Sequence, residues 1–271
     1  MAPGFLAVAS QPSAQLSLEE FHAWYDEEHI PLRLNRLASF HSGARYHAVD
    51  LDANAKADET RPGWMAMYEI DDTRTFRDES YTGLRLQRSE REKSVINRLE
   101  ILARKTGEVL GVWGEPESLE GTSDAVRGRT TGLKVGKPSE WIITHEMKII
   151  PGDNAEGTDV DSDRKAQEWA ESVAHKEGKG WIRTRLVKVL ESGKTKMGAN
   201  TELGKEEESF NYFAVHEYFD QQSAVSRETK RLVGEPEDPE VIVGDWRIWK
   251  LHKVYPCIAQ GNAPVLTTAF I

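Results

Sequence analysis

The feature that most limits the folds open to this chain is an order of elements that occurs twice. Val109-Leu110-Gly111-Val112-Trp113 closes the first series and Ile242-Val243-Gly244-Asp245-Trp246 closes the second. Earlier in each series, Phe21-His22-Ala23-Trp24 corresponds to Ala166-Gln167-Glu168-Trp169, and Tyr68-Glu69-Ile70-Asp71 to His216-Glu217-Tyr218-Phe219. These strings fall in matching elements and only the loop lengths change. A duplicated unit explains that better than coincidence. Glu117 to Ser139 lies between the series. It carries Gly121, Gly128, Gly132, Gly136 and Pro138 with few large apolar residues, and reads as a linker.

In the first series, Gly4–Ser10 is a short apolar run that reads as a strand. Ser17 and Glu20 then stand at capping-box spacing, with Leu16 and Phe21 at the positions of a hydrophobic staple. This predicts a helix from Leu18 to His29, ended by Pro31, which lacks a backbone donor and disfavours helix at Ile30. Phe40–Leu51 and Trp64–Ile70 read as strands. Thr73 to Lys105 reads as helix with an interruption near Gly83, and Gly107–Gly114 as a strand. The second series repeats this pattern. Strands are expected at Trp141–Ile150, Trp181–Leu190, Phe210–Phe219 and Val241–Val254, and helices at Arg164–Lys176 and Gln221–Val233. Polar loops are expected at Pro151–Asp163 and Glu191–Glu208. The order β-α-β-β-α-β is that of a ferredoxin-like unit.

The expected fold class is therefore α+β, with two ferredoxin-like units packed as an intrachain pseudo-dimeric α+β barrel. Residues 1–116 form the first unit, 117–139 the linker, 140–256 the second unit and 257–271 a tail. Each sheet has helices on one face only, so its other face needs a partner. A binding pocket would lie between a sheet and its own helices, or inside the barrel.

Composition removes several function classes. The formal net charge of −10 disfavours a phosphate backbone as partner, so no nucleic acid is expected. One cysteine, Cys257, forms neither an internal disulfide nor a cysteine-rich zinc site. No apolar run approaches a membrane span, and Phe5–Ala9 is too short for a signal core. The expected location is cytoplasmic, with no membrane partner. No Gly-x-Gly-x-x-Gly or Gly-x4-Gly-Lys-Ser/Thr string supports a nucleotide cofactor. No His-Glu-x-x-His string supports a metal, and the Asp153–Asp163 run lacks the order of a calcium loop. Neither a cofactor nor a metal is expected.

The sharpest local pattern is Trp24-Tyr25-Asp26-Glu27-Glu28-His29-Ile30-Pro31-Leu32-Arg33. At 100° per residue, Leu18, Phe21, Tyr25 and Leu32 share an apolar stripe. His22, Asp26, His29 and Arg33 run along its edge, where residues three or four apart touch. One reading is a histidine acid/base oriented by Asp26 at a pocket mouth. The other is a helix end at which His29 meets the last carbonyls. On the strands, Trp64, Ala66, Tyr68 and Ile70 share one face, as do Tyr212, Ala214, His216 and Tyr218. Such rows line a polar-tipped cavity or fill an aromatic core.

The string WYDEEHIPLRL, followed by Phe40-His41-Ser42-Gly43-Ala44-Arg45-Tyr46, resembles the EthD-like branch of the dimeric α+β barrel superfamily over Phe5 to Trp113. The second half shares only the architecture: Ala174 stands where the first helix has His29, and no His-x-Pro follows. The resemblance implies a small enzyme without cofactor, of the kind found among polyketide cyclases, decarboxylases and cofactor-free oxygenases. The first expectation is a lyase or cyclase that moves a proton on a hydrophobic aromatic or polyketide-like molecule. His29, Asp26, Arg33 and Tyr68 would be catalytic. Trp24, Tyr25, His22, Trp64, His216, Tyr212 and Trp246 would bind substrate. The alternatives are a non-catalytic barrel that binds a small molecule or a protein, and a haem-binding barrel, which needs a histidine facing a large apolar cavity. Two such chains are also expected to be able to associate as a homodimer of pseudo-dimers.

Overall fold

A computed structural model describes residues 2–50, 57–114, 138–150, 159–176, 180–202 and 210–260. Most of the predicted linker, 117–137, the acidic loop at 151–158 and most of the tail lie outside the described residues. The strands are β1 (Gly4–Pro12), β2 (Phe40–Ala48), β3 (Trp64–Ile70), β4 (Leu99–Gly114), β5 (Trp141–Ile149), β6 (Trp181–Lys196), β7 (Ala199–Thr201), β8 (Tyr212–Tyr218) and β9 (Val241–Tyr255). They pair in the order β4-β1-β3-β2-β9-β5-β8-β6, and β4 pairs again with β6. Eight antiparallel strands thus close into a barrel, with β7 as a short flap on β6. Each half runs fourth, first, third, second strand, and the halves join at β2–β9 and β4–β6. Closure leaves the eight strands without an open edge.

Strand alternation sorts side chains into two sets. Phe5, Ala7, Tyr46, Met65, Met67, Ile142, Val187, Phe213, Val215 and Trp249 fill the barrel. On the same inward face lie buried charges. Glu69 accepts from Ser42 Oγ at 2.5 Å and has Arg185 Nη2 2.9 Å away, while Arg183 Nε stands 3.2 Å from Glu217. The outward residues of the first half pack beneath its helices, with Phe21, Trp24, Tyr25 and Tyr68 almost fully buried. The second half packs against α5 (Asp159–Lys176) through Trp169, Ala170 and Val173. No helix among the described residues is long and apolar enough to cross a membrane.

The first helix keeps its predicted start. The Ser17 side chain caps α1 (Leu18–Trp24) by accepting from Glu20 N, which satisfies a backbone donor left open at the helix end. Its end differs. Tyr25–His29 forms a π-helical turn, and α2 (Ile30–Leu34) continues past Pro31. Proline is tolerated in a first helical turn, where its missing donor breaks no bond.

The long helix predicted from Thr73 to Lys105 is also corrected. It is a 3-10 turn (Thr73–Arg77), α3 (Glu79–Leu86) and α4 (Glu90–Ile96), and the chain is already a strand at Leu99. The break falls at Gln87–Ser89, where Ser89 caps α4, and Gly83 lies within α3. Residues 99–105 pair with β1 on one side, and 102–105 also pair with β6 on the other. This tertiary pairing overrides their helical composition.

The predicted loop at Glu191–Glu208 begins as strand. β6 runs to Lys196 and turns into β7 through Met197 and Gly198, both at positive φ. That is the backbone of a tight hairpin turn. At Gly198 a Cβ would crowd the Asn97 side chain, and the positive φ strains any side chain there. α6 (Gln221–Ala224) and α7 (Arg227–Gly234) replace the single helix expected at Gln221–Val233. Cys257 is a free cysteine, buried against the first-half core, and donates to the His41 carbonyl at 3.0 Å.

Candidate active site

The π turn decides how the Trp24–Arg33 segment presents its side chains. Ile30 N–H donates to Tyr25 O, five residues back rather than four. This inserts an extra residue into the turn and rotates the next residues relative to the regular helical stripe. His29 leaves the edge shared with Asp26 and turns toward α4. There its Nδ1 lies 2.9 Å from Glu92 Oε1. The predicted partner Asp26 is therefore replaced by Glu92, 63 residues further along the chain.

Glu92 is held from its own side. Its backbone N–H donates to Ser89 Oγ at 2.9 Å, and Ser89 Oγ donates to Glu28. Trp24 and Tyr25 pack on the His29 ring at 4.3 and 5.2 Å between centroids. Arg33 Nη1 donates to the His29 carbonyl at 2.5 Å and so braces the turn from within. Among the described residues, His29 Nε2 has no hydrogen-bond partner, and the side chain keeps 10% of its surface exposed.

Burial pushes the His29 imidazole down to about 4, with the Arg33 charge acting in the same direction against the Glu92 hydrogen bond. Burial alone would raise the Glu92 carboxyl. The His29 hydrogen bond and the neighbouring cations outweigh it and hold the group low. At neutral pH the pair is a neutral imidazole on a carboxylate. Nδ1 carries the proton toward Glu92, and the Nε2 lone pair is open.

Asp26 belongs to a second group beside this one. It accepts from Lys253 Nζ at 2.7 Å and Tyr255 OH at 2.5 Å, with Arg45 Nη1 3.6 Å away. Arg45 is buried, its guanidinium 4.1 Å from the centre of the Tyr25 ring, and its Nη2 donates to His22 Nδ1 at 3.0 Å. Burial first and Arg45 second hold His22 down at about 4. His22 also stacks on His252 at 4.6 Å and meets Trp64 edge-on at 4.4 Å. Tyr68 lies deeper, under Phe40. Its hydroxyl and the Trp24 indole N–H are buried without a hydrogen-bond partner among the described residues. Burial raises the Tyr68 hydroxyl far above the usual phenol range. Gly43 admits this packing, since a Cβ there would press on Leu34 and Tyr68 at 3.0 and 3.1 Å.

The structure does not bring the second-half residues to His29. His216 faces α5 with His145, their Nε2 atoms 3.1 Å apart. Thr184 Oγ1 lies 2.8 Å from His216 Nδ1, and His145 Nδ1 lies 3.2 Å from the Glu146 carbonyl. One proton arrangement satisfies this chain: Thr184 donates to His216, His216 to His145, and His145 to the carbonyl, with both rings neutral. Burial holds both imidazoles down, His145 at about 4. Tyr212 OH donates to Asp163 at 2.9 Å, and Trp246 packs at the margin of the second core.

Sequence reasoning missed Glu92 and Ser89, and gave Arg45 no role of its own. Ser89 and Glu92 stand at capping-box spacing, so a helix start was visible there. Their pairing with His29 and Glu28 was not, because it spans two helices.

Two solved structures share this architecture. An anthrone oxidase-like protein superimposes with a TM-score of 0.51 at 10% identity, covering 94% of this chain and 92% of that one. A haem-binding protein from Thermus thermophilus gives 0.50 at 12% identity, covering 93% and 92%. The chain has the dimeric α+β barrel fold. At these identities the likeness concerns the fold alone. No family model matches the chain, and no curated protein matches it.

The haem-binding alternative needs a histidine facing a large apolar cavity, and His145 and His216 do not supply one. His145 and His216 spend their Nε2 atoms on each other, and Trp169 packs edge-on against both at 5.3 and 6.2 Å. At the barrel mouth, Gly4, His41, Glu69, Val109 and Arg185 line a cavity of about 10 Å³, room for about one water.

Proposed function

We propose that the chain is a tandem pair of ferredoxin-like units, residues 1–116 and 140–256, with an EthD-like first unit that acts as an acid–base enzyme without an organic cofactor. The observation that carries the reading is His29, with Nδ1 on the Glu92 carboxylate and Nε2 open. In the step it supports, His29 Nε2 takes a proton from a carbon acid or hydroxyl of the bound molecule. The electron pair stays on the substrate as an enolate or phenolate. Glu92 is a positioning residue: it fixes the tautomer and stabilises the imidazolium that forms. The buried Tyr68 hydroxyl and Trp24 indole N–H are donors without hydrogen-bond partners among the described residues. They suit the developing oxyanion, which explains two buried groups that would otherwise cost free energy. Phe21, Tyr25 and Trp64 supply aromatic walls for a hydrophobic substrate. The reaction class is a lyase or cyclase step.

In a turnover screen of aromatic and polyketide-like carbon acids, His29→Ala should abolish activity with the fold intact. Glu92→Gln should lower kcat by about 10²–10⁴-fold, the usual range for general acid–base catalysis, with little change in KM. Turnover undiminished in His29→Ala refutes the reading. A second reading, a non-catalytic binding barrel, is favoured by the dense packing of the barrel interior and both helix layers. It predicts ligand binding that His29→Ala leaves unchanged, and no turnover.

A further inference from the structure

The π turn carries two consecutive buried side chains, Glu28 and His29, and both reach α4. His29 Nδ1 lies 2.9 Å from Glu92 Oε1, and Glu28 accepts from the Ser89 hydroxyl. Ser89 is the N-cap of α4 and Glu92 stands three residues after it. Glu28 is only 6% exposed. Among the described residues its one hydrogen-bond partner is Ser89 Oγ, and no cation pairs with it. Burying a carboxylate costs free energy that one hydroxyl donor offsets only in part. An apolar side chain at this position would hold α4 against the turn at lower cost. Retaining a carboxylate there points to a demand on geometry rather than on stability.

That demand is visible at Glu92. A glutamate three residues after a serine N-cap ordinarily reaches back to the serine backbone N–H and closes a capping box. Among the described residues only half of this box is made. Ser89 Oγ accepts from Glu92 N–H at 2.9 Å, while the Glu92 carboxylate turns to His29. Glu92 thus has two competing uses, its own helix cap and the imidazole. Which one it serves depends on how close the start of α4 lies to the π turn. Glu28 sets that spacing, because it adjoins His29 in the chain and holds the residue that caps α4. The contacts close a ring: Glu28 to Ser89, Ser89 to Glu92, Glu92 to His29, and His29 back to Glu28 through their shared peptide.

We propose that Glu28 is a positioning residue, which holds the start of α4 against the π turn so that Glu92 serves His29 rather than its own helix cap. This rests on the reading of His29 as the acid–base residue, and adds the group that keeps Glu92 in its role. Glu28 acts through Ser89 and Glu92, not on the substrate.

The test uses nitrogen-15 NMR of the histidine rings at pH 7 in the full-length protein, with kcat and KM measured on the same samples. The variants are Glu28→Ala, Glu28→Asp, Glu28→Gln, Ser89→Ala and the double change Glu28→Ala with Ser89→Ala. Glu28→Ala removes the acceptor for Ser89, and Glu28→Asp draws it back by one methylene. Both should let the Nε2–H tautomer of His29 appear beside the Nδ1–H form. Both should lower kcat by about 10–100-fold, the scale of a misplaced catalytic group, with KM nearly unchanged. Glu28→Gln still offers Ser89 a carbonyl oxygen and should keep the Nδ1–H tautomer and most of kcat. In the Ser89→Ala background, Glu28→Ala should add nothing to the tautomer change, since the contact it removes is already gone. Should Glu28→Ala not fold, the contrast between Glu28→Asp and Glu28→Gln decides. A His29 ring that stays wholly Nδ1–H in Glu28→Asp overturns the proposal even where stability falls, and so does an equal tautomer change in Glu28→Gln. Those results leave the acid–base role of His29 standing if His29→Ala still abolishes turnover. Turnover that survives His29→Ala removes that role, while the tautomer response to Glu28 is read without any substrate.

Discussion

Lowering the pH from 8 to 5 should cost this barrel much of its stability, through histidines buried in the neutral form. Burial lowers the imidazoles of His29 and His145 to about 4, from an ordinary value of 6.5. The sign follows from proton uptake. Between 6.5 and 4 the unfolded chain binds protons at these sites and the folded chain does not, so folding is penalised as pH falls. The stabilisation is complete above 6.5 and is lost as pH drops toward 4. At pH 5 the unfolded-state groups lie about 1.5 pH units below their midpoint, which at 1.36 kcal/mol per unit is about 2 kcal/mol for each ring. Two rings give about 4 kcal/mol, and His216, held low by burial and by His145, adds in the same direction. Typical folded stability is about 5–15 kcal/mol, so the effect is a large share of it. Urea unfolding followed by tryptophan fluorescence at pH 8, 7, 6 and 5 measures it. In His145→Gln the loss between pH 7 and 5 should shrink by about 2 kcal/mol. Unfolding free energy that is flat or rising from pH 7 to 5 refutes the argument.

The other predictions concern particular contacts. Glu69→Leu should destabilise by about 3–5 kcal/mol because Arg185 is left buried and unpaired. The double change Glu69→Leu with Arg185→Met should recover most of that loss in the same urea assay. Ser89→Ala removes the α4 cap and the Glu28 contact and should cost about 1–2 kcal/mol. It should also lower turnover by loosening Glu92, and circular dichroism with kinetics separates the two effects. Gly198→Ala should lower the melting temperature, since the new methyl collides with Asn97 at a residue already at positive φ.

Much of the fold was legible because local rules and tertiary packing agree there. The Ser17–Glu20 cap, the staple and the alternation of Trp64–Ile70 all mean in the structure what they mean in isolation. The α+β barrel expected from the strand strings matches the eight strands that close it. Legibility failed where a distant partner decides. Residues 99–105 look helical in composition, but β1 and β6 flank them, and pairing wins. Pro31 looked like a helix end, but a π turn just before it lets the helix continue, and no periodicity count includes that extra residue. The same shift moved His29 off the edge it was expected to share with Asp26. His29 was identified as a candidate from its string, but its carboxylate partner was not, because Glu92 reaches it from another helix. Arg45 was visible only as half of an Arg-Tyr pair. Its burial over Tyr25 follows from β2 packing beneath α1, which no single segment encodes.

The central claim is the state of His29: neutral, protonated on Nδ1 toward Glu92, with Nε2 open. The most direct measurement is nitrogen-15 NMR of the histidine rings across a pH titration, in the wild type, Glu92→Gln and Asp26→Asn. The account predicts the Nδ1–H tautomer at pH 7 and a His29 midpoint lowered to about 4, since burial and the Arg33 charge disfavour the imidazolium. That midpoint should fall further in Glu92→Gln, where the charge favouring the imidazolium is gone, and stay put in Asp26→Asn. An Nε2–H tautomer at pH 7, or a midpoint that follows Asp26 rather than Glu92, contradicts it.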